Sequence, residues 1–150
     1  MTLARLHLDL AADIIELNRM GAEVSTFCID NGIDGKTAYT LQLVCDEWFT
    51  NIVSHGYGKP APKGRPISLS ITKTDSSTLV LVFTDDALAF NPLALEVPNT
   101  TLSVEERKVG GLGIHFIRQM MSSCAYRRIN DQNELTLIKK LDEPREETES

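Results

Sequence analysis

The chain has few cysteines and no long run of apolar residues. Its three cysteines, Cys28, Cys45 and Cys124, lie far apart and form no Cys-x-x-Cys pair, which argues against a disulfide framework or a zinc site and indicates reduced thiols. No apolar stretch approaches the length that spans a bilayer, and the first five residues lack the layout of a signal peptide. We therefore expect a soluble cytoplasmic protein without a membrane partner.

Basic residues are also in deficit. The chain has 15 lysines and arginines against 21 aspartates and glutamates, a net charge of −6 at pH 7. Proteins that bind nucleic acids need a basic face to neutralise phosphates, so no nucleic-acid partner is expected. A single nucleotide needs only a local positive field and is not excluded. The length of 150 residues suits one domain with its own core.

Alternating and helical apolar patterns follow one another along the chain. The alternating patterns predict strands near residues 6–10, 67–71, 79–83, 125–129 and 134–141. The helical patterns predict helices over residues 11–31, 36–55 and about 111–123. This order predicts an α+β fold, a two-layer sandwich with helices on one face of a mostly antiparallel sheet. We assign residues 1–141 to this domain and expect the acidic tail, residues 142–150, to be disordered.

Glu47, Asn51 and His55 recur every fourth residue on the second predicted helix. At roughly 100° per residue they form a polar stripe beside the apolar stripe, at the rim of the core. A carboxylate there can accept a proton, and an amide oxygen one turn later can bind Mg²⁺. Taken alone, the pattern also describes an ordinary amphipathic border with solvated polar groups. For His55 we expect a structural or supporting role.

Two further motifs suit a nucleotide. Asp85 directly follows a buried strand, where its carboxylate can accept a hydrogen bond from an amine such as N6 of adenine; a capped turn is the alternative. The motif Gly110-Gly111-Leu112-Gly113 opens the third predicted helix. Glycines let the backbone approach a ligand, and a helix N-terminus favours an anion such as a triphosphate. For a lone glycine motif, a flexible hinge is the alternative.

The order and spacing of these motifs resemble the GHKL type of ATP-binding domain, which has the Bergerat fold. Within that superfamily the chain resembles the anti-sigma-factor serine kinases of bacterial partner-switching systems. Three stretches carry the resemblance: DEWFTNIVSHGY at residues 46–57, DDALAFNP at residues 85–92 and GGLGIHFIR at residues 110–118. The resemblance extends from the first predicted strand to about Leu141.

The resemblance implies a role for each motif residue. Glu47 matches the general base that deprotonates an acceptor serine, and Asn51 matches the ligand that holds Mg²⁺ against the phosphates of ATP. Asp85 matches the aspartate that reads adenine, and Thr136 matches a hydroxyl near the adenine. The phosphate-cradling turn corresponds to Gly110, Gly111, Leu112 and Gly113, and the lid over ATP corresponds to residues 92–109.

One residue departs from the family pattern. The pattern is Asp-x-Gly, whereas this chain has Asp85-Asp86-Ala87 in the same nucleotide-binding loop. Glycine there allows a positive φ or a close approach of the backbone to the base. The methyl group of Ala87 is therefore expected either to crowd the adenine or to strain the turn, which costs about 1–3 kcal/mol. Such a cost weakens ATP binding about tenfold or more without abolishing it.

The resemblance implies an ATP- and Mg²⁺-dependent serine/threonine protein kinase. Its substrate would be a serine of an anti-anti-sigma (STAS-like) partner, and it would also sequester a sigma factor. The alternative is a GHKL module that binds a protein partner and regulates it without phosphoryl transfer. Glu47 and Asn51 favour the kinase, while Ala87 keeps the binding module open. Family analogy also leaves a homodimer open.

Overall fold

The computed structural model describes residues 2–57, 64–94 and 111–141. The strands are β1 (Ala4–Ala11), β2 (Pro66–Asp75), β3 (Thr78–Asp85), β4 (Ser123–Ile129) and β5 (Gln132–Lys140). The α-helices are α1 (Leu17–Asp30), α2 (Gly35–Asn51) and α3 (Gly111–Met120). Short 3₁₀ turns lie at Ile14–Glu16 and Pro92–Ala94, and a π-helical turn at Ile52–Gly56 continues α2.

The first helix begins later than its apolar pattern predicts. β1 continues to Ala11 because it stays paired with β2, and the next amide, Ala12 N, donates to Arg65 O at 2.7 Å. The Asp13 side chain then accepts a hydrogen bond from Ile15 N at 3.1 Å and caps a 3₁₀ turn. α1 therefore begins only at Leu17. The other predicted strands and helices are confirmed, with ends that differ by a few residues.

The five strands form one antiparallel sheet in the order β1-β2-β3-β5-β4. Alternate residues of β2, β3 and β5, and two of β1, are buried, and most of the residues between them stay partly exposed, whereas β4 has no buried residue. Leu81 and Phe83 of β3 belong to one buried cluster with Val24 of α1, Val44 of α2 and Ile117 of α3. The predicted α+β fold, with helices on one face of an antiparallel sheet, is confirmed.

α2 and β3 carry the polar residues of interest to one end of this sandwich. α2 begins after Asp34, whose side chain accepts from Thr37 N at 3.0 Å, and hydrogen bonds from Thr37 lower the pKa of that carboxyl. β3 lies between β2 and β5 and ends at Asp85. The segment that follows α2 and the segment that follows β3 are joined by a hydrogen bond, which Leu88 N donates to Gly56 O at 3.1 Å.

Residues 95–110 and 142–150 lie outside the described ranges. They include most of the predicted lid, Gly110 of the glycine motif and the predicted acidic tail, so those predictions remain predictions. None of the helices that the structure does describe is long and apolar enough to cross a membrane.

Candidate functional site

A cavity of about 230 Å³ opens between the end of α2 and the loop that follows β3. Its lining includes Asn51 and Asp85, which the sequence predicts as site residues. Trp48 and Phe90 provide apolar walls, and Asn133 reaches in from β5. A buried carboxylate, two aromatic rings and two amides therefore converge on one space.

Asp85 lies at the base of this cavity with only 2% of its surface exposed. Its Oδ1 atom accepts hydrogen bonds from Ala87 N at 3.0 Å and from Asn133 Nδ2 at 2.9 Å. Burial raises the pKa of the Asp85 carboxyl, and these two hydrogen bonds together with nearby Arg128 offset part of that rise. Since both bonds use Oδ1, the Oδ2 atom is the oxygen suited to a donor on a ligand.

Asn133 is a site residue that the sequence reasoning missed. It stands opposite Asp85 in the register of β3 and β5. Besides Asp85, its Nδ2 atom donates to Leu88 O at 2.9 Å, and its Oδ1 atom accepts from Tyr126 Oη at 2.6 Å and from Phe90 N at 3.3 Å. One amide thus ties the aspartate to the loop that follows it. The signal was present in the alternation of β5, but the strand was predicted to begin two residues too late.

Thr136 is not brought to this cavity. In β5 the buried residues Asn133, Leu135 and Leu137 share one face of the sheet, and Thr136 lies between them in the alternation. It stands opposite Val82, which is on the other face of the sheet from Asp85. Because successive strand residues point to opposite faces, a hydroxyl at position 136 faces away from the aspartate.

Ala87 is buried beside Asp85, but its backbone is not strained. Among the described residues other than glycine, a positive φ occurs only at Asn130 and Asp131, so the expectation of a strained turn at Ala87 is wrong. Its carbonyl oxygen accepts from Arg128 Nη1 at 2.8 Å. Its methyl group lies against Gly56, where a Cβ atom would come within 3.0 Å of the Ala87 Cβ.

The loop after β3 is also held from the side of α2. Asp86 Oδ1 accepts from Tyr57 Oη at 2.8 Å, and Asp86 Oδ2 forms an ion pair with Arg65. Burial, with a contribution from the charge of Asp85, raises the pKa of Tyr57 to about 12. The phenol therefore stays protonated and remains a hydrogen-bond donor across the neutral pH range.

Trp48 and Phe90 form the aromatic wall of the cavity. Their ring centroids are 6.4 Å apart and their planes differ by 14°, a stacked arrangement. The Trp48 Nε1 atom is buried and meets no hydrogen-bond acceptor in the part of the chain that the structure describes. Trp48 is the sole tryptophan of the chain, so its fluorescence reports directly on this cavity.

The three residues of the predicted polar stripe do not all line the cavity; two of them do, and the third lies beside the start of α3. Asn51 and His55 line the cavity, the latter within the π-helical turn, a feature often found at functional sites. Glu47 is exposed, and its carboxylate lies at the first turn of α3, because a Cβ atom placed on Gly113 would come within 2.7 Å of Glu47 Oε2. Gly111 and Leu112 form the start of that helix.

These placements fit a nucleotide and a divalent cation. A buried carboxylate between apolar walls can accept a hydrogen bond from an exocyclic amine of a flat base. The amide oxygen of Asn51 is a neutral oxygen donor of the kind that Mg²⁺ accepts together with phosphates. The exposed carboxylate of Glu47 is placed to accept a proton beside the start of α3.

Two comparisons with known proteins agree with this geometry. A family model described as the histidine kinase-like ATPase domain matches residues 10–139. The chain is also similar to the serine/threonine-protein kinase BtrW of Bordetella bronchiseptica, with 31% identity over 99 residues. That match covers 66% of this chain and 68% of the Bordetella protein.

Asn133→Ala should destabilise the protein, because it removes one of the two donors to the buried Asp85 carboxylate and the side-chain donor to the Leu88 carbonyl. A loss of about 1–3 kcal/mol in the free energy of unfolding is expected. Urea denaturation followed by the fluorescence of Trp48 measures it. Gln132→Ala, on the neighbouring and half-exposed position of β5, is the control and should change stability by less than about 0.5 kcal/mol. Equal effects of the two changes would contradict the role given to Asn133.

Proposed function

This chain belongs to the family of histidine kinase-like ATPase domains, and from that premise we propose that it is an ATP- and Mg²⁺-dependent serine/threonine protein kinase. Membership implies that the chain binds ATP. One observation carries the proposal: Asp85 and Asn51 share a cavity, while Glu47, one turn before Asn51, reaches the first turn of α3. The name of the Bordetella relative, a serine/threonine-protein kinase, supports the same reaction.

In this proposal the adenine base enters the cavity. Asp85 accepts a hydrogen bond from its exocyclic amine, and the rings of Trp48 and Phe90 cover its apolar surface. The phosphates then lie toward the start of α3, where backbone N–H groups favour an anion. Asn51 holds Mg²⁺, which when bound with ATP supplies positive charge against the phosphates.

Glu47 is the proposed general base. It is exposed on α2, so a hydroxyl group of a partner protein can reach its carboxylate. Glu47 takes the proton of the acceptor serine, the serine oxygen bonds to the γ-phosphorus, and the bond from that phosphorus to the β–γ bridging oxygen breaks. ADP leaves with that electron pair, and Glu47 afterwards returns the proton to solvent.

We further propose that the acceptor is a small anti-anti-sigma protein of the STAS-like type, and that a sigma factor is a second partner. The resemblance of the three motifs to partner-switching kinases supports this assignment. The test is incubation of the protein with labelled ATP, Mg²⁺ and the STAS-like protein encoded nearest its gene. Binding of such a partner without phosphate transfer would instead make the chain a nucleotide-binding regulatory module.

Asp85→Asn should stabilise the ATP-free protein and remove most of its stabilisation by ATP. Because burial raises the pKa of this carboxyl in the folded state, its charge opposes folding at any pH above the ordinary aspartate range, and the amide has no such charge. The amide oxygen still accepts from Ala87 N and Asn133 Nδ2, but its NH₂ group cannot accept from adenine.

Melting temperatures with and without Mg²⁺-ATP, at neutral pH and near pH 3, measure both effects. The stabilisation of the ATP-free variant should shrink at the lower pH, where Asp85 is protonated in both states. Asp30→Asn, at an exposed position of α1, is the control. An Asp85 variant that keeps the full ATP-dependent rise in melting temperature would contradict the adenine assignment.

Glu47→Gln and Asn51→Ala should separate the chemical step from nucleotide binding. Glu47→Gln keeps the shape of the side chain and should bind ATP normally while transferring phosphate about 100- to 10,000-fold more slowly. Asn51→Ala should lose both Mg²⁺-dependent ATP binding and transfer. Phosphate incorporation into the partner and ATP affinity, both measured for the wild type and the two variants, show whether transfer and binding separate in this way. Transfer by the Glu47 variant at the wild-type rate would show that Glu47 is not the base.

Gly113→Ala should displace the general base. The added methyl group would meet the end of the flexible Glu47 side chain at 2.7 Å, so the side chain moves and the fold survives. Misplacement of a reacting group by about 1 Å can slow a reaction roughly 100-fold, so kcat should fall more than ATP affinity. Gly21→Ala, in α1, is the control because its Cβ would make an ordinary contact of 3.4 Å. If Gly113→Ala lowers ATP affinity and leaves kcat unchanged, Gly113 contributes to phosphate binding and does not position Glu47.

A further inference from the structure

Gly56 and Ala87 lie next to each other in the wall of the cavity. Gly56 is the last residue of the π-helical turn after α2, and Ala87 is the second residue after Asp85. Both line the cavity. Their backbones are joined directly, because Leu88 N donates to Gly56 O at 3.1 Å.

Position 56 has too little room for a side chain unless a neighbouring group moves. A Cβ atom built on Gly56 would lie 3.0 Å from the Ala87 Cβ and 3.6 Å from Ile52 Cγ2. The first distance is shorter than carbon–carbon van der Waals contact, so one of the two groups would have to move. Among the described glycines, only Gly32 and Gly64 have a positive φ. The conformation at Gly56 thus suits any residue, and only space requires glycine there.

Hydrogen bonds hold both backbone segments in place. Ala87 N donates to Asp85 Oδ1 at 3.0 Å, and Ala87 O accepts from Arg128 Nη1 at 2.8 Å. Gly56 is held by its own bond to Leu88 N. A second methyl group would therefore push on the atoms that position the Asp85 carboxylate.

We propose that the space between positions 56 and 87 fits only one methyl group. Gly56 is then the positioning residue, because its lack of a side chain leaves that space to the methyl group of Ala87 beside Asp85. The methyl group of Ala87 occupies the space that a side chain at position 56 would need. Alanine in place of the family glycine therefore leaves the Asp85 loop in an unstrained conformation. This inference rests on the proposed function only in so far as the cavity binds ATP.

Four proteins test the proposal: the wild type, Gly56→Ala, Ala87→Gly and the double variant. Gly56→Ala should weaken ATP binding about tenfold or more and lower the melting temperature, because two methyl groups then compete for one space. The double variant carries its single methyl group at position 56 and should return to within about threefold of the wild-type affinity, as expected for two directly coupled sites. Ala87→Gly alone should stay within about threefold as well.

Isothermal titration calorimetry gives the ATP affinities, and urea denaturation without nucleotide gives the stabilities. Gly35→Ala is the control, since a Cβ atom at that position of α2 meets nothing within 4 Å. If alanine at position 56 acted only through its own backbone, the double variant would bind ATP as weakly as Gly56→Ala. The proposal instead requires that Ala87→Gly restores the affinity in the double variant. Wild-type affinity in Gly56→Ala, or a double variant as weak as Gly56→Ala, would overturn the proposal.

ATP binding and the packing of positions 56 and 87 can be tested separately. If the folded wild type does not bind ATP, the proposed function is wrong, while the stability cycle without nucleotide still decides whether the two positions share one methyl group. Non-additive stabilities, with the double variant recovering what Gly56→Ala loses, support the pair. Additive stabilities overturn it, whatever the outcome with ATP.

Discussion

The site depends on a carboxylate kept where water cannot solvate it. Asp85 ends the central strand β3 and is almost fully buried, so its charge is tolerated only because neighbouring groups compensate for lost hydration. Asn133 is the main compensating group, and it binds the backbone of the next loop at the same time. One hydrogen-bond network therefore fixes the position of the loop after β3 and stabilises the charged form of the carboxylate. An aspartate so placed weakens the fold and strengthens recognition of a ligand that offers a donor.

The helical period explains how one element serves two purposes. Glu47 and Asn51 lie one turn apart on α2, and His55 lies in the π-helical turn that continues it. Glu47 is at the exposed surface near α3, whereas Asn51 and His55 line the cavity. The π-helical turn then brings Gly56 to the loop after β3. A regular helix would rotate the next residues differently, since a π turn adds one residue to the hydrogen-bonded ring.

Much of this architecture could be predicted from sequence, because it rests on local periodicity. The two-residue alternation and the helical stripe gave the strands, the helices and the grouping of Glu47 with Asn51. The residues that pair across the sheet were harder, since Asn133 becomes visible only when the register of β3 and β5 is known. The predicted start of β5 was two residues too late, so Asn133 was left out of the strand. Thr136 was implied by family resemblance, which cannot reveal which face of the sheet a side chain occupies.

The departure at Ala87 lies at the adenine end of the proposed site, apart from the residues proposed for phosphate transfer. Ala87 contacts Asp85, Asn133, Arg128 and Gly56, all at the adenine end of the proposed site. Glu47 meets α3 through Gly113 and shares none of those contacts. Groups without shared partners contribute nearly independently. An alanine in the adenine loop is therefore weak evidence against a kinase, because its methyl group lies against Gly56 in an unstrained loop while the base keeps its own position.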